Sequence, residues 1–72
     1  MFAFYKCRAS LQLSVCHSTR VTICEINGNQ WEGPGLAEFK QVAKTLGFRP
    51  ADIRHMSDGG EVELNGYLYF IK

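Results

Sequence analysis

A chain of 72 residues is long enough for one domain and no more, so residues 1–72 are taken as a single domain. Its composition, 46% hydrophobic and 21% charged, is that of a globular protein and is too apolar for a disordered chain. The net charge of +1 excludes a chain that is basic throughout, and so small a core leaves little room for a deep substrate cavity.

Residues 3–15 have the alternating pattern of a strand with one buried face. Apolar side chains occupy the odd positions, and polar side chains occupy most of the even ones. A period of two is typical of a strand that is half buried in a sheet. Phe2 and Phe4 depart from the pattern because they lie on its polar side.

Residues 20–26, with the sequence RVTICEI, predict a second strand that pairs with the first. A hairpin that places Val15 opposite Val21 and Leu13 opposite Ile23 keeps these four side chains on one face. The loop around residues 17–19 contains no glycine and has no specific turn signal. We expect the inner face of this hairpin to pack under a helix.

The middle of the chain predicts a loop and two helical segments. Residues 27–35 are rich in turn residues. A main helix follows over about residues 36–46, with an apolar stripe on one side and charged side chains on the other. Gly47 fits the position after a helix end, and Pro50 can open a short second helical turn that ends near residue 56.

The C-terminal part predicts a second hairpin. The Asn-Gly pair at residues 65–66 favours a type I′ turn, which places Leu64 opposite Tyr67. Taken together, the elements predict an α+β fold with two layers. Its parts are a mostly antiparallel sheet of two β-hairpins, one main helix at about 36–46 and a short helical turn at about 50–56.

Both predicted hairpins carry large apolar side chains on the face that the helix does not cover. An exposed face that joins apolar groups with charges is typical of a protein interface. The predicted partner-binding residues are Phe2, Phe4, Lys6, Arg8, Leu68 and Phe70. Two other interpretations stay open: Phe2 covers a sheet edge, or Leu68 and Phe70 form the core face while the tyrosines are partly exposed.

Nucleic-acid binding is the alternative interpretation. Residues 36–56 resemble a helix-turn-helix, and the hairpin at 61–71 would act as its wing. The residues predicted to contact nucleic acid are Lys40, Lys44, Arg49, Arg54 and His55. A single-strand mode would instead use aromatic stacking platforms, namely Phe2, Phe4, Phe70 and Trp31. The short second helix and Asp52 on it oppose the helix-turn-helix, and the glutamates of the wing, Glu61 and Glu63, oppose both modes because carboxylates repel phosphates.

The three cysteines and two histidines form no metal-binding or catalytic motif. No C-x-x-C pair is present, and the predicted register puts Cys7 on one strand face with Cys16 and Cys24 on the other. Cys16 and His17 are neighbours, so on a strand they would point to opposite faces and could not form a dyad. We therefore expect free thiols, no metal, no cofactor, no small-molecule substrate and no enzymatic activity.

An odd number of cysteines and the lack of an apolar leader in residues 1–8 favour the reducing cytoplasm. No segment approaches the ~18 apolar residues of a membrane-spanning helix, so no membrane partner is expected. The sequence predicts a small non-enzymatic binding or inhibitory module that acts through a protein–protein interface, on a foreign partner or as a homodimer. The alternative is a small DNA-binding regulator.

Overall fold

The structure, a computed structural model, describes residues 2–26 and 34–72, with side chains for residues 3–26 and 37–72. In chain order its elements are β1 (Phe2–Arg8), α1 (Leu13–Ser18), β2 (Val21–Ile26), α2 (Pro34–Leu46), α3 (Pro50–Ser57), β3 (Val62–Leu64) and β4 (Tyr67–Ile71). The predicted α+β class is confirmed, since a four-stranded antiparallel sheet is combined with helices. Most of the loop predicted at 27–35, including Trp31, lies outside the described residues.

The sheet has the strand order β2-β1-β4-β3, and β1 is therefore an inner strand. Phe4 on β1 pairs with Cys24 of β2 on one side and with Ile71 of β4 on the other. The two ends of the chain meet here, because Ala3 and Lys72 exchange backbone hydrogen bonds of 3.0 and 3.1 Å. This central pairing between residues far apart in sequence decides which side chains share a face.

Helices α2 and α3 cover one face of the sheet and enclose the main core. Phe4 lies at its centre, with its ring centroid 4.9 Å from that of Phe39 and 5.8 Å from that of Tyr69. The buried members of this core are Phe4, Ile26, Phe39, Ala43, Phe48, Ile53, Met56, Tyr69 and Ile71. Both helices thus direct their apolar side toward the sheet, as the predicted stripe of the main helix requires.

The boundary between α2 and α3 follows the predicted local signals. Gly47 has a φ of 102°, a left-handed conformation that costs glycine little. Its N–H donates to the Lys44 carbonyl and the Phe48 N–H donates to the Ala43 carbonyl, both at 3.1 Å. These two bonds form a Schellman motif, which ends α2 and turns Phe48 into the core. Helix α3 then begins at the predicted proline, Pro50.

The predicted C-terminal hairpin is also confirmed. Asn65 and Gly66 have φ values of 53° and 85°, which is the pattern of a type I′ turn. Leu64 pairs with Tyr67 across this turn, in the register that a two-residue loop requires. β3 and β4 therefore present alternate residues to the two faces of the sheet.

The predicted second strand and its antiparallel pairing with the first strand are confirmed, but the predicted register and turn are wrong. β1 ends at Arg8, and residues 13–18 form helix α1 where a strand was expected, so Val15 does not pair with Val21. Val21 instead pairs with Lys6. Alternation of apolar and polar side chains over a short segment does not exclude a helix. In residues 13–18 the helical conformation allows Cys16 to be buried beside Cys7.

Helix α1 lies on the face of the sheet opposite α2 and α3, and a second, smaller cluster of buried side chains forms there. Its buried members are Cys7, Cys16 and Phe70, with Tyr5 and Leu68 packed against them. The sequence predicted one helical layer, whereas the sheet carries helices on both faces. Helix α1 therefore covers part of the sheet face that carries Cys7 and Phe70.

Candidate functional site

The predicted partner-binding residues do not share one exposed face. The β1–β4 register places Phe4 opposite Ile71 and Tyr5 opposite Phe70, so Phe4 and Phe70 lie on opposite faces of the sheet. Phe4 is fully buried in the main core, and Phe70 is only 2% exposed. The predicted common outer face is therefore wrong, because helices cover both faces.

The other predicted partner-binding residues also lie on different faces of the sheet. Lys6 alternates onto the face of Phe4, where its ammonium lies 5.0 Å from the centroid of the Tyr67 ring. Arg8 is exposed, while Leu68 is half-buried against the smaller cluster. The interpretation that placed Leu68 and Phe70 in a core with the tyrosines partly exposed is correct for Leu68, Phe70 and Tyr67. It is wrong for Tyr69, which is buried in the main core. Nothing is described of the Phe2 side chain.

The residues predicted to contact nucleic acid are all exposed. Lys40 and Lys44 lie on α2, and Arg54 and His55 lie on α3. Arg49 lies in the connection between the two helices. The order helix, short turn, helix and hairpin agrees with the predicted helix-turn-helix and wing. However, both helices contribute buried side chains to the core that covers the sheet.

The imidazole of His55 lies against the backbone that leads into β3. A Cβ on Gly60 would collide with this ring, so the ring occupies the space next to the glycine. The Gly60 N–H also donates to the His55 carbonyl at 2.9 Å. The His55 ring therefore packs against the segment that connects α3 to β3. This packing limits the positions from which the imidazole could contact a ligand.

Exposed apolar side chains are concentrated around α1. Leu11, Leu13 and Val15, on or directly before α1, are 39%, 51% and 42% exposed. We call these three residues the α1 surface. Val21 is 56% exposed but lies apart from it, because Val21 pairs with Lys6 and therefore lies on the face of the sheet opposite α1. Sequence reasoning missed the α1 surface because Leu13 and Val15 were assigned to the inner face of the first hairpin, whereas residues 13–18 are helical.

The opposite side of α1 is attached to the sheet by His17. Its ring is stacked on Phe70, with centroids 4.4 Å apart and planes within 6°. Its Nε2 lies 3.3 Å from Glu61 Oε1, and Lys72 Nζ lies 3.4 Å from its Nδ1. A lysine ammonium offers only donors, so Nδ1 accepts and Nε2–H donates to the carboxylate. His17 thereby connects α1 to both ends of the C-terminal hairpin.

Arg20 forms the adjoining polar edge of the same surface. Its guanidinium carbon lies 4.5 Å from the centroid of the Tyr5 ring, a cation–π geometry. One of its nitrogens, Nη1, donates to the His17 carbonyl at the end of α1. An aromatic group, an arginine and a histidine thus border the α1 surface. Such a border is typical of protein interfaces, where Tyr and Arg are enriched.

The expectation of free thiols is wrong for two of the three cysteines. Cys7 and Cys16 form a disulfide, with their Cα atoms 5.4 Å apart. Both residues are buried, at 5% and 1% exposure. The predicted separation of Cys7 from Cys16 depended on a strand register that α1 replaces. Within the described ranges, no three His, Cys, Asp or Glu side chains are grouped as a metal ion would require.

Cys24 is a free, half-buried cysteine on the other face of the sheet. Burial raises the pKa of its thiol, and the negative charge of Glu38 raises this pKa further. Both effects disfavour the thiolate, which is the reactive form of cysteine. Cys24 therefore behaves as a small apolar residue of the core edge.

The chain matches no protein-family model, and it has no significant similarity to a curated protein or to a solved structure. None of the helices in residues 2–26 and 34–72 has the length and apolar character that crossing a bilayer requires.

Proposed function

We propose that this chain is a non-enzymatic protein-binding module whose contact region is the α1 surface. The observation that carries the proposal is the concentration of exposed apolar side chains at Leu11, Leu13 and Val15. Single exposed apolar residues are ordinary, whereas a group of them with a polar border is typical of interaction sites. The partner is a foreign protein or a second copy of the chain.

The small size of the domain strengthens this argument. Burying a valine or leucine side chain stabilises a fold by about 1.5–3 kcal/mol, and a core of this size supplies only a few kcal/mol in total. Leaving Leu13 and Val15 half exposed therefore forgoes stabilisation that the fold needs. A partner that covers these side chains would supply this stabilisation in the complex. Arg20, beside the aromatic ring of Tyr5, provides the kind of anchor that interface hot spots use.

The test compares two double variants of the full chain. Leu13→Glu with Val15→Glu places two charges on the α1 surface. Leu46→Glu with Tyr67→Glu is the matched control, because both residues are large, apolar and 38% exposed but lie on other elements. Circular dichroism of both variants checks that the fold is retained.

Two measurements then separate self-association from a foreign partner. Light scattering over a concentration series reports the molar mass, and affinity capture with the three proteins as baits reports partners. We expect the wild type and the control to associate, and the α1 double variant to lose the dimer or the captured protein. A wild type that stays monomeric, with the same captured proteins for all three baits, would refute the proposal.

DNA binding is the second candidate, and the exposure of four cations favours it. Lys40, Lys44, Arg49 and Arg54 are exposed, and none of them is in a salt bridge within the described residues. Asp58, at the end of α3 and also exposed, reduces the positive potential of this side. An electrophoretic shift assay with duplex DNA at low and high salt tests it, because phosphate contacts weaken steeply with salt. The absence of a shift at low salt excludes this candidate.

The cytoplasmic location that the sequence predicts belongs to the same proposal. Cytoplasmic thiols are kept reduced, and disulfides there are usually transient or redox-sensing. The disulfide between Cys7 and Cys16 then needs a function beyond permanent stabilisation.

A further inference from the structure

Helix α1 has few contacts that could hold it in place without a covalent bond. It has six residues, and Cys16 is its only buried one. Its N-cap residue, Gln12, makes no side-chain capping hydrogen bond. A helix this short is not stable by itself in water, so its position depends on its attachments to the sheet. Those attachments are the bond to Cys7 and the contacts of His17 with Phe70 and Glu61.

We propose that Cys7 and Cys16 are a reversible redox site that fixes α1 on the sheet when oxidised and frees it when reduced. The α1 surface is thereby held in one arrangement only in the oxidised form. This last step rests on the proposed function, whereas the redox site itself does not. Cα atoms 5.4 Å apart lie in the range that disulfides occupy, so the backbone need not move for the bond to form.

The redox step is a thiol–disulfide exchange with a small dithiol. One thiolate of the dithiol attacks Sγ of Cys7 or Cys16, the protein S–S bond breaks, and a mixed disulfide forms. The second thiolate of the reductant displaces the protein sulfur, so the dithiol leaves as a cyclic disulfide. Two electrons and two protons pass to the protein, which now holds two thiols. The Leu68 carbonyl, 3.9 Å from Cys7 Sγ, is an acceptor for one of the new S–H groups. A disulfide oxidant reverses the process.

Burial of both sulfurs makes the exchange depend on the opening of α1. A reductant reaches them only when the part of α1 around Cys16 moves enough to expose the bond while staying attached by it, and the few contacts of α1 make such local opening accessible. Reduction removes a short covalent loop, which in entropic estimates changes the opening equilibrium by on the order of 100-fold. We therefore expect backbone amides of residues 9–20 to exchange hydrogen at least tenfold faster in the reduced form.

The experiment uses the full chain with Cys24→Ser, so that Cys7 and Cys16 are its only cysteines. The protein is equilibrated in mixtures of reduced and oxidised dithiothreitol, then alkylated and weighed by mass spectrometry. Hydrogen exchange of residues 9–20 is measured in each mixture. The control carries Cys7→Ser and Cys16→Ser in addition, and it cannot form the bond.

The expected result is a change from two alkylated thiols to none as the mixture becomes oxidising, with exchange of residues 9–20 slowing in parallel. The control should exchange like the reduced protein in every mixture. Alkylation of two thiols in all mixtures, or exchange that is equal in both forms, would overturn the redox site.

Association is measured last, on the same samples. Association that follows the redox state and disappears with Leu13→Glu and Val15→Glu supports the regulation. If exchange responds to the redox state while association does not, the redox site stands and its control of the α1 surface is refuted. A failure of the redox site and a failure of its control over association therefore give different results.

Discussion

The imidazole of His17 lies flat on the ring of Phe70, with centroids 4.4 Å apart and planes within 6°. This contact joins α1 to β4 and covers the face that the sequence predicted to be open. Parallel aromatic stacking adds to the burial of both rings, because each covers apolar surface of the other. The same histidine reaches Glu61 and Lys72 with its two nitrogens. One side chain thus combines a stack with two polar contacts.

The first prediction concerns this stack. His17→Ala should lower the free energy of unfolding by about 1 kcal/mol, since aromatic pairs contribute about 0.5–1.5 kcal/mol beyond their burial. His17→Phe is the matched control, because it keeps a flat ring over Phe70 and loses only the half-exposed polar contacts, worth roughly 0.2–1 kcal/mol. Urea unfolding followed by circular dichroism measures both. Equal stability of His17→Ala and the wild type would contradict the stack as an attachment of α1.

The second prediction separates core from surface. Phe4→Ala should destabilise the fold by about 3–5 kcal/mol, because it removes a fully buried ring from the centre of the main core. Leu13→Ala should change stability by less than about 0.5 kcal/mol, since its side chain is 51% exposed. Denaturant unfolding of both variants gives the two values. A small effect at Phe4 and a large one at Leu13 would reverse the assignment of faces.

The parts of the fold that were predictable from sequence are those with local chemical signals. Gly47 ends α2 because a left-handed backbone suits glycine, and Asn65-Gly66 turns β3 into β4 for the same reason. Pro50 opens α3, where its missing N–H is not needed. Each of these signals acts within a few residues. They can therefore be read without knowing how the sheet is assembled.

The faces of the sheet were not predictable in this way. Whether Phe4 or Tyr5 points to the main core depends on the pairing of β1 with β4, between residues more than sixty positions apart. The alternation in residues 3–15 fits one long strand equally well, and the chain breaks it at Arg8. As a result, Val15 was assigned inward and Phe4 outward, the reverse of their positions. The α1 surface followed only once residues 13–18 were seen to be helical.

The third prediction concerns the turn between β3 and β4. Gly66 has a φ of 85°, and an L side chain in this region costs about 1–2 kcal/mol. Gly66→Ala should therefore lower the free energy of unfolding by that amount, although a Cβ there meets no atom within 4 Å. Asn65→Gly is the control, since glycine accepts the positive φ of this position as well. A neutral Gly66→Ala would show that the type I′ geometry is not maintained.

The fourth prediction concerns the pH dependence of Cys24. Burial and the charge of Glu38 raise the pKa of its thiol in the folded protein. In the oxidised chain, where Cys7 and Cys16 are bonded, maleimide should react with Cys24 more slowly than with a free thiol at the same pH. Glu38→Gln should accelerate the reaction, because it removes a charge that opposes the thiolate. Glu25→Gln, an exposed neighbour on the same strand, should not.

The raised pKa of the Cys24 thiol also determines how the free energy of unfolding depends on pH. A thiol whose pKa is higher in the folded state binds its proton more tightly there than in the unfolded chain. The contribution of the protonated Cys24 thiol to the free energy of unfolding is fully present below the pKa of a cysteine in the unfolded chain, which is about 8.5. This contribution is lost as the pH rises through the pKa of Cys24 in the folded protein. Urea unfolding from pH 7 to pH 10 should show a steeper loss of stability for the wild type than for Cys24→Ser. Parallel curves for the two proteins, or a Glu38→Gln variant that reacts no faster with maleimide, would contradict the raised pKa.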